Sequence, residues 1–373
     1  MSLLPTPLDE YPIHQAPLPI ARVDSSDRNF YDRCYFNAMD TAGEVMVIAG
    51  AGIYPNLGVQ DAYFLVRRGD TQQVARFSTA LDARPMTHEV GGFRVEVLEP
   101  LTSLRLTCEA DGLGADLTWQ GSTPAVLEQP HLMMGGVRPT LLAQRFAQAG
   151  FWSGTLTVGD QQIDVTPDLW HGTRDRSWGI RPVGEAEPAG RTADLPMDGF
   201  WWLYVPMQFE DFTLVVILQE SPDGFRSLND AMRIFADGRI EQLGWPRVEF
   251  DYRSGTRHPL GARIHLTTPA GEPLLVEVET LMSVALHIGA GYGGDPDWAH
   301  GQWMGADWAQ VASYDLSDPE IAARAPWGVS DHSARATMTL PDGTVLTGRG
   351  LFEHASVGRH DPTGFADWMS VAP

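Results

Sequence analysis

The chain has 373 residues, 43% of them hydrophobic, enough for two ordinary domains or one large all-β body with a substantial core. Its 26 basic residues stand against 48 acidic ones, and the resulting net charge of −22 is scattered without long blocks. Such a surface repels phosphate backbones and anionic membrane faces, which excludes nucleic acid as an expected partner. The two cysteines, Cys34 and Cys108, show no CxxC or other zinc-closing spacing and are expected as buried reduced thiols.

Residues 1–29 carry Pro5, Pro7, Pro12, Pro17 and Pro19 with little periodicity and are expected to form an extended arm. They lack a basic n-region, a continuous apolar stretch and a small-residue cleavage site. Nowhere does an apolar run reach the ~18 residues of a membrane span. The chain therefore reads as cytoplasmic, without membrane insertion.

From Phe30 onward, short β-rich runs alternate with Gly, Asp and Pro punctuation. Period-two alternation is clear in Phe93, Val95, Val97 and again in Leu104, Leu106, Cys108, the pattern of antiparallel strands with one dry face. The Leu-, Gln- and Ala-rich stretch over 140–149 predicts a short helix covering a barrel mouth. Strands resume over 151–165, where Gly159-Asp160 forms a hairpin turn. A charged and aromatic stretch follows, LWHGTRDRSWGIR (169–181), and then a polar loop, Val183 to Asp198, which marks a boundary. The second half repeats the style, with hairpin turns at ADGR, PAGE and PDGT. Long amphipathic helical windows between the strands are missing, which disfavours a doubly wound α/β fold. The prediction is an all-β chain: an arm (1–29) and two consecutive antiparallel barrel-like bodies (30–192 and 193–373) with few short helices.

Candidate chemistry centres on 169–181. Strand alternation places Arg174 and Arg176 on one face and Asp175 on the other. Burial raises the pKa of Asp175 and a nearby guanidinium lowers it, so the same carboxyl reads as proton donor, base or the structural half of an Arg–Asp pair. His171 is a candidate proton shuttle. In GFWWLYVP (199–206), Trp202 and Tyr204 share a face, either as core packing or as the wall of an apolar ligand cavity. GAGIYPN (50–56) lacks the third glycine of a dinucleotide loop. Its glycines are expected to permit a bulge that brings Tyr54 and Asn56 to a barrel rim. The Gly- and Trp-rich stretch 289–308 holds Asp295, Asp297, His300 and Asp307 without a recognised metal-ligand spacing and reads as a solvated or lid-forming loop. No metal is assigned. Glu353, on a late strand with His354, is a further cavity candidate. GxSxG, P-loop and catalytic Cys–His patterns are absent.

Set in order, GAGIYPN, HGTRDRSWGIRP, HGQWMG and GRGLFEH resemble the two-domain lipocalin-like (calycin) family grouped with carotenoid hydratases, also called hydroxyneurosporene synthases. The specificity of the resemblance rests on DRSWG, Asp175 to Gly179. It implies two consecutive lipocalin-like barrels and cofactor-independent hydratase, dehydratase or isomerase chemistry on a terpenoid, steroid or polyketide-like molecule. Relatives of this kind add water to prenyl alkenes or, in fungal pathways, perform cycloadditions. Asp175, Trp178 and Gly179 match the hydratase motif, whereas Arg176 stands where the motif has His and cannot act as an acid or base near neutral pH. The resemblance makes Asp175, His171 and Tyr204 candidate catalytic residues. Trp178, Trp202, Arg174, Arg176, Tyr54, Asn56 and Glu353 become candidate substrate contacts. A non-catalytic carrier and a pericyclase remain alternatives, and self-association as a homodimer is admitted.

Overall fold

The computed structural model describes residues 7–11, 23–81, 88–135, 138–183 and 198–373. It is nearly all β. Among the described residues the chain forms one 14-stranded and one 9-stranded antiparallel sheet, a single α-helix, Pro319–Arg324, and two short 3₁₀ turns. No helix among them is long and apolar enough to cross a membrane.

Two compact units result. The first comprises Met1–Asp40, Val45–Asp194 and Ile288–Asp315, and the second Thr41–Glu44, Leu195–His287 and Leu316–Pro373. The segment Ile288–Asp315, which lies inside the expected second body, belongs to the first unit. Its strand Trp308–Asp315 pairs with Thr71–Ala80. Most of the loop 183–198 and most of the arm 1–29 lie outside the described residues.

In the first unit the strand order runs Trp308–Asp315, Thr71–Ala80, Val59–Arg68, Val45–Tyr54, Phe30–Asp40, Trp170–Ile180, Arg138–Val158, Leu113–Gly121, Ser103–Ala110, Phe93–Glu99, His88–Val90. The sheet curls so that its far edge returns to the fourth strand in chain order, where a Cβ added at Gly91 would lie 2.7 Å from the Phe77 ring. Alternation sends Phe36, Ala49, Phe64 and Phe77 inward with Phe93, Trp119 and Trp152, closing one apolar interior. Each such large side chain contributes about 1.5–3 kcal/mol by leaving water. Cys34 and Cys108 are free and buried in this interior.

The second unit repeats the principle around Gly199–Gln208 and its partner strands Phe212–Glu220 and Val345–Gly358. Trp201, Leu203 and Val205 point inward onto Leu214, Ile264, Val276 and Phe352.

Two local expectations are corrected. The stretch 140–149 is no helix but part of the 21-residue strand Arg138–Val158. Ala, Leu and Gln favour helices by only tenths of a kcal/mol each. Here the stretch gains ladders on both sides, with Trp170–Ile180 on one and with His131–Gly135 and Val126–Leu127 on the other. Nor does GAGIYPN hold a bulge: Val45–Tyr54 pairs in unbroken register with both neighbours. Its glycines answer a different need, described below.

Candidate functional site

The first unit's sheet has two polar faces. On the inner one, Arg174 donates to both carboxylate oxygens of Glu10 (2.5 and 2.8 Å) and to Gln148 (2.8 Å), with its guanidinium 5.4 Å from the Phe146 ring. Arg176 bonds Asp32 at 2.9 Å and lies 3.2 Å from His88 Nε2. Burial and the Arg176 charge push His88 down to about 3. The register Asp32↔Trp178 puts Trp178 on this inner face too. The two arginines and Trp178 therefore face away from Asp175, as alternation requires, and each arginine has its own buried carboxylate.

Asp175 lies on the outer face, 15% exposed, with Arg145 Nη1 3.8 Å away. Burial raises its pKa, while Arg145, Arg33, Arg181 and Arg174 pull in the opposite direction. This outer face holds an array assembled from distant positions. Arg33 Nη2 donates to His300 Nε2 at 2.8 Å and lies 3.5 Å from the Tyr292 hydroxyl. The Tyr292 and Tyr63 hydroxyls are 3.4 Å apart. Burial and Arg33 together hold His300 near 3, against the opposing pull of Asp61, so the ring is neutral at physiological pH. Because Nε2 accepts from Arg33, the ring proton is assigned to Nδ1, 3.6 Å from Asp61 Oδ2. Asp61 also accepts from the Tyr54 hydroxyl (3.2 Å) and the Gly301 amide (2.7 Å).

Gly50 and Gly52 make room for this array. A Cβ at Gly52 would sit 2.6 Å from the Tyr54 hydroxyl and 2.7 Å from Arg33 Cγ, and one at Gly50 would sit 2.8 Å from the Tyr63 ring. The segment that delivers Tyr292 and His300 is fastened by fully buried Arg76. That residue contacts Asp295 at 3.4 Å and Asp297 at 3.2 Å and donates to the Gly289 carbonyl at 2.8 Å. Asp295 and Asp297 thus anchor the segment through Arg76. Among the described residues no group of three or more His, Cys, Asp or Glu is placed to hold a metal ion.

The array opens on a cleft of about 660 Å³ whose lining includes Asp27, Arg33, Arg138, Arg181, Tyr292 and His300, with apolar walls from Pro139, Ile180 and Val183. Arg181 stacks over Tyr31 and Tyr292, 5.6 and 5.8 Å from the ring centroids. Burial raises the Tyr292 pKa, and Arg33 and Arg181 oppose the rise. Tyr292 is therefore a neutral phenol at physiological pH, and two cations stand ready to stabilise it should it lose its proton.

Of the residues singled out in the sequence, Asp175 lies close enough to feel Arg33 and Arg181. His171 is buried on the same strand, four residues away or roughly 13 Å at about 3.3 Å per residue. Tyr54 is buried behind the array, not at a rim. Asn56 donates to the Ser25 and Asp27 carbonyls at 2.7 and 2.8 Å, holding the segment that carries Asp27 at the cleft. Trp202, Tyr204 and Glu353 belong to the second unit. There Trp202 Nε1 donates to Glu353 at 2.5 Å and the indole stacks on Tyr204 at 6.4 Å. Arg33, Asp61, Arg181 and Tyr292 were not among the expected site residues. Arg181 closes the stretch 169–181 singled out in the sequence, and for the others the signal is a GxG strand and a later Gly- and aromatic-rich loop.

Two curled antiparallel sheets with polar arrays on their strands define a two-barrel, lipocalin-like protein. The chain belongs to a family of unknown function (DUF8625), whose profile matches residues 5–366. No curated protein matches it. Among solved structures it is similar to kievitone hydratase from Nectria haematococca, with 14% identity and TM-score 0.53 over 87% of this chain and 89% of that one. It is also similar to an AttH-like protein from Nitrosomonas europaea, at 14% identity and TM-score 0.51 over 87% and 92%. CghA is similar at 14% identity and TM-score 0.51 over 96% and 97%, and has also been solved with Sch210972. At these identities the likeness defines the fold.

Proposed function

We propose that the protein is a cofactor-independent lyase or isomerase of the hydratase or cyclase kind, acting on a lipophilic small molecule in the cleft of the first unit. The observation that carries this reading is the Tyr292 phenol on the cleft wall beside Arg33 and Arg181, backed by the chain Arg33–His300–Asp61. A half-buried neutral phenol on a cleft wall can donate a proton or a strong hydrogen bond to a carbonyl or departing hydroxyl oxygen. The two guanidinia stabilise the negative charge that develops on the phenol oxygen or on the substrate, and their preorganisation spares reorganisation during the reaction. Neutral His300 fixes the Arg33 head group, and Asp61 orients His300. Asp175 sets the local potential from beneath.

The DRSWG resemblance supports water-adding chemistry. Charge, however, distinguishes two routes to it. Protonating an unactivated prenyl alkene generates a carbocation, which the guanidinia destabilise, whereas addition or loss of water beside a carbonyl passes through an enolate, which they favour. The second route is the one proposed here.

The test is incubation of the purified protein with a panel of lipophilic enones and hydroxyketones in ¹⁸O-labelled water, read by mass spectrometry for gain of one labelled water by an enone or loss of one unlabelled water by a hydroxyketone. Turnover is expected, and Tyr292→Phe should lower it about 10²-fold or more with the fold retained. Tight binding without any turnover would replace this reading by a carrier, and an unimpaired Tyr292→Phe enzyme would remove the phenol from the mechanism.

A further inference from the structure

Arg181 and Arg33 differ from most other guanidinia of the first unit. Arg174, Arg176, Arg145 and Arg76 each have a carboxylate within 4 Å on the protein itself: Glu10, Asp32, Glu128 and Asp295. Arg181 has none among the described residues. Its guanidinium lies over the Tyr31 and Tyr292 rings, and its five N–H donors are uncommitted among the described residues. Arg33 directs Nη2 to His300 and Tyr292, yet its buried Nε–H has no acceptor among the described residues.

Among the described residues, three arginines and one aspartate line the cleft. In a chain of net charge −22, where the surface at large repels anions, this is a local reversal of sign. The carboxylate of Asp27 is turned to its own backbone, accepting from the Asn29 amide at 2.9 Å. Beside these cations the walls are apolar, from Pro139, Ile180, Pro182, Val183 and Ala299.

We propose that the cleft selects an amphiphilic molecule by its carboxylate, which Arg181 receives in the positive field it shares with Arg33, while the lipophilic body lies along the apolar walls. Planar guanidinium forks match the two oxygens of a carboxylate, and the aromatic stacking pre-pays their ordering. The inference rests on the first-unit cleft being the substrate site, and it specifies the substrate class that the proton chemistry alone leaves open.

Titration calorimetry with 1-naphthylacetate, its neutral isostere 1-naphthylacetamide and 1-naphthyl phosphate tests it at neutral pH. The carboxylate is expected to bind at least about tenfold tighter than the amide, with an advantage that shrinks as salt is added. Arg181→Gln should abolish the advantage. Arg181→Lys, which keeps the charge and loses the fork, should retain part of it and guards against a variant that simply misfolds. Equal affinity for carboxylate and amide overturns the proposal, and so does preferential binding of the phosphate. Tyr292→Phe is expected to leave carboxylate affinity within about twofold while removing turnover. A failed affinity contrast with a phenol-dependent reaction therefore sinks only the carboxylate, whereas a held contrast with phenol-independent turnover sinks only the proton donor.

Discussion

Asp175 answers two opposing influences, burial that raises its pKa and four guanidinia that lower it, and in its ionised form it raises the pKa of Tyr292 in turn. That relation separates a positioning role from a structural one. If turnover depends on protonated Tyr292, Asp175→Asn should shift the alkaline limb of the pH–rate profile to lower pH, because the phenol loses a neighbour that disfavours its anion. An unmoved limb in a well-folded variant would place Asp175 outside the reaction. Alternation alone was enough to set Asp175 apart from Arg174 and Arg176. It gave no sign that the arginines' partners would be Glu10 and Asp32, which lie 164 and 144 positions away. The same distance hid the central pair of the array: Arg33 and His300 are 267 positions apart and meet only through the sheet and an anchored loop. Breaking an inner pair is costly. Glu10→Gln leaves Arg174 buried beside a neutral amide and should lower stability by about 3–5 kcal/mol in denaturant unfolding.

At the scale of elements, the strand Val45–Tyr54 illustrates what a pattern can and cannot disclose. Its GxG was correctly separated from a nucleotide loop, because no third glycine or helix start follows. A bulge was the next expectation, but the reason for the glycines is steric: Tyr63 and Arg33 from the neighbouring strands and the strand's own Tyr54 occupy the volume a Cβ would need. Gly52→Ala should therefore displace Arg33 at a cost of about 1–3 kcal/mol. The expected outcome is a lower unfolding midpoint together with loss of the carboxylate preference of the cleft; unchanged values of both would show that the strand yields easily. The stretch 140–149 failed in a different way. Local propensity spoke for a helix, and the outcome was set by pairing, with Trp170–Ile180 on one side and with His131–Gly135 and Val126–Leu127 on the other. The loop 289–308 was expected to be solvated or lid-forming. Two of its carboxylates, Asp295 and Asp297, bind Arg76, and it brings Tyr292 and His300 to Arg33.

For the whole molecule, the alternating apolar residues were sufficient to read an all-β chain with two curled bodies, because period two survives without knowledge of pairing partners. Stability against acid follows from groups that were not legible. His88 and His300 in the first unit and His354 in the second are held near 3, chiefly by burial. Unfolded imidazoles titrate near 6.5, so the unfolded chain binds protons that the folded chain refuses. Stability is therefore fully present above about pH 6.5 and is lost as pH falls toward the folded values, by up to about 1.4 kcal/mol per pH unit for each such histidine. Urea midpoints measured from about pH 7.5 down to about pH 5 should fall steeply, and a flat profile would contradict neutral burial of these rings.

The return of Ile288–Asp315 to the first unit has a consequence for how such a protein can be made and altered. During synthesis the first barrel must wait, with an open edge at Thr71–Ala80 and without Tyr292 or His300, while the chain builds most of the second. The two barrels look like modules, yet they cannot be inherited or exchanged as modules by a single recombination at 194/195. Such a crossover would carry the cleft's phenol and imidazole away with the wrong half.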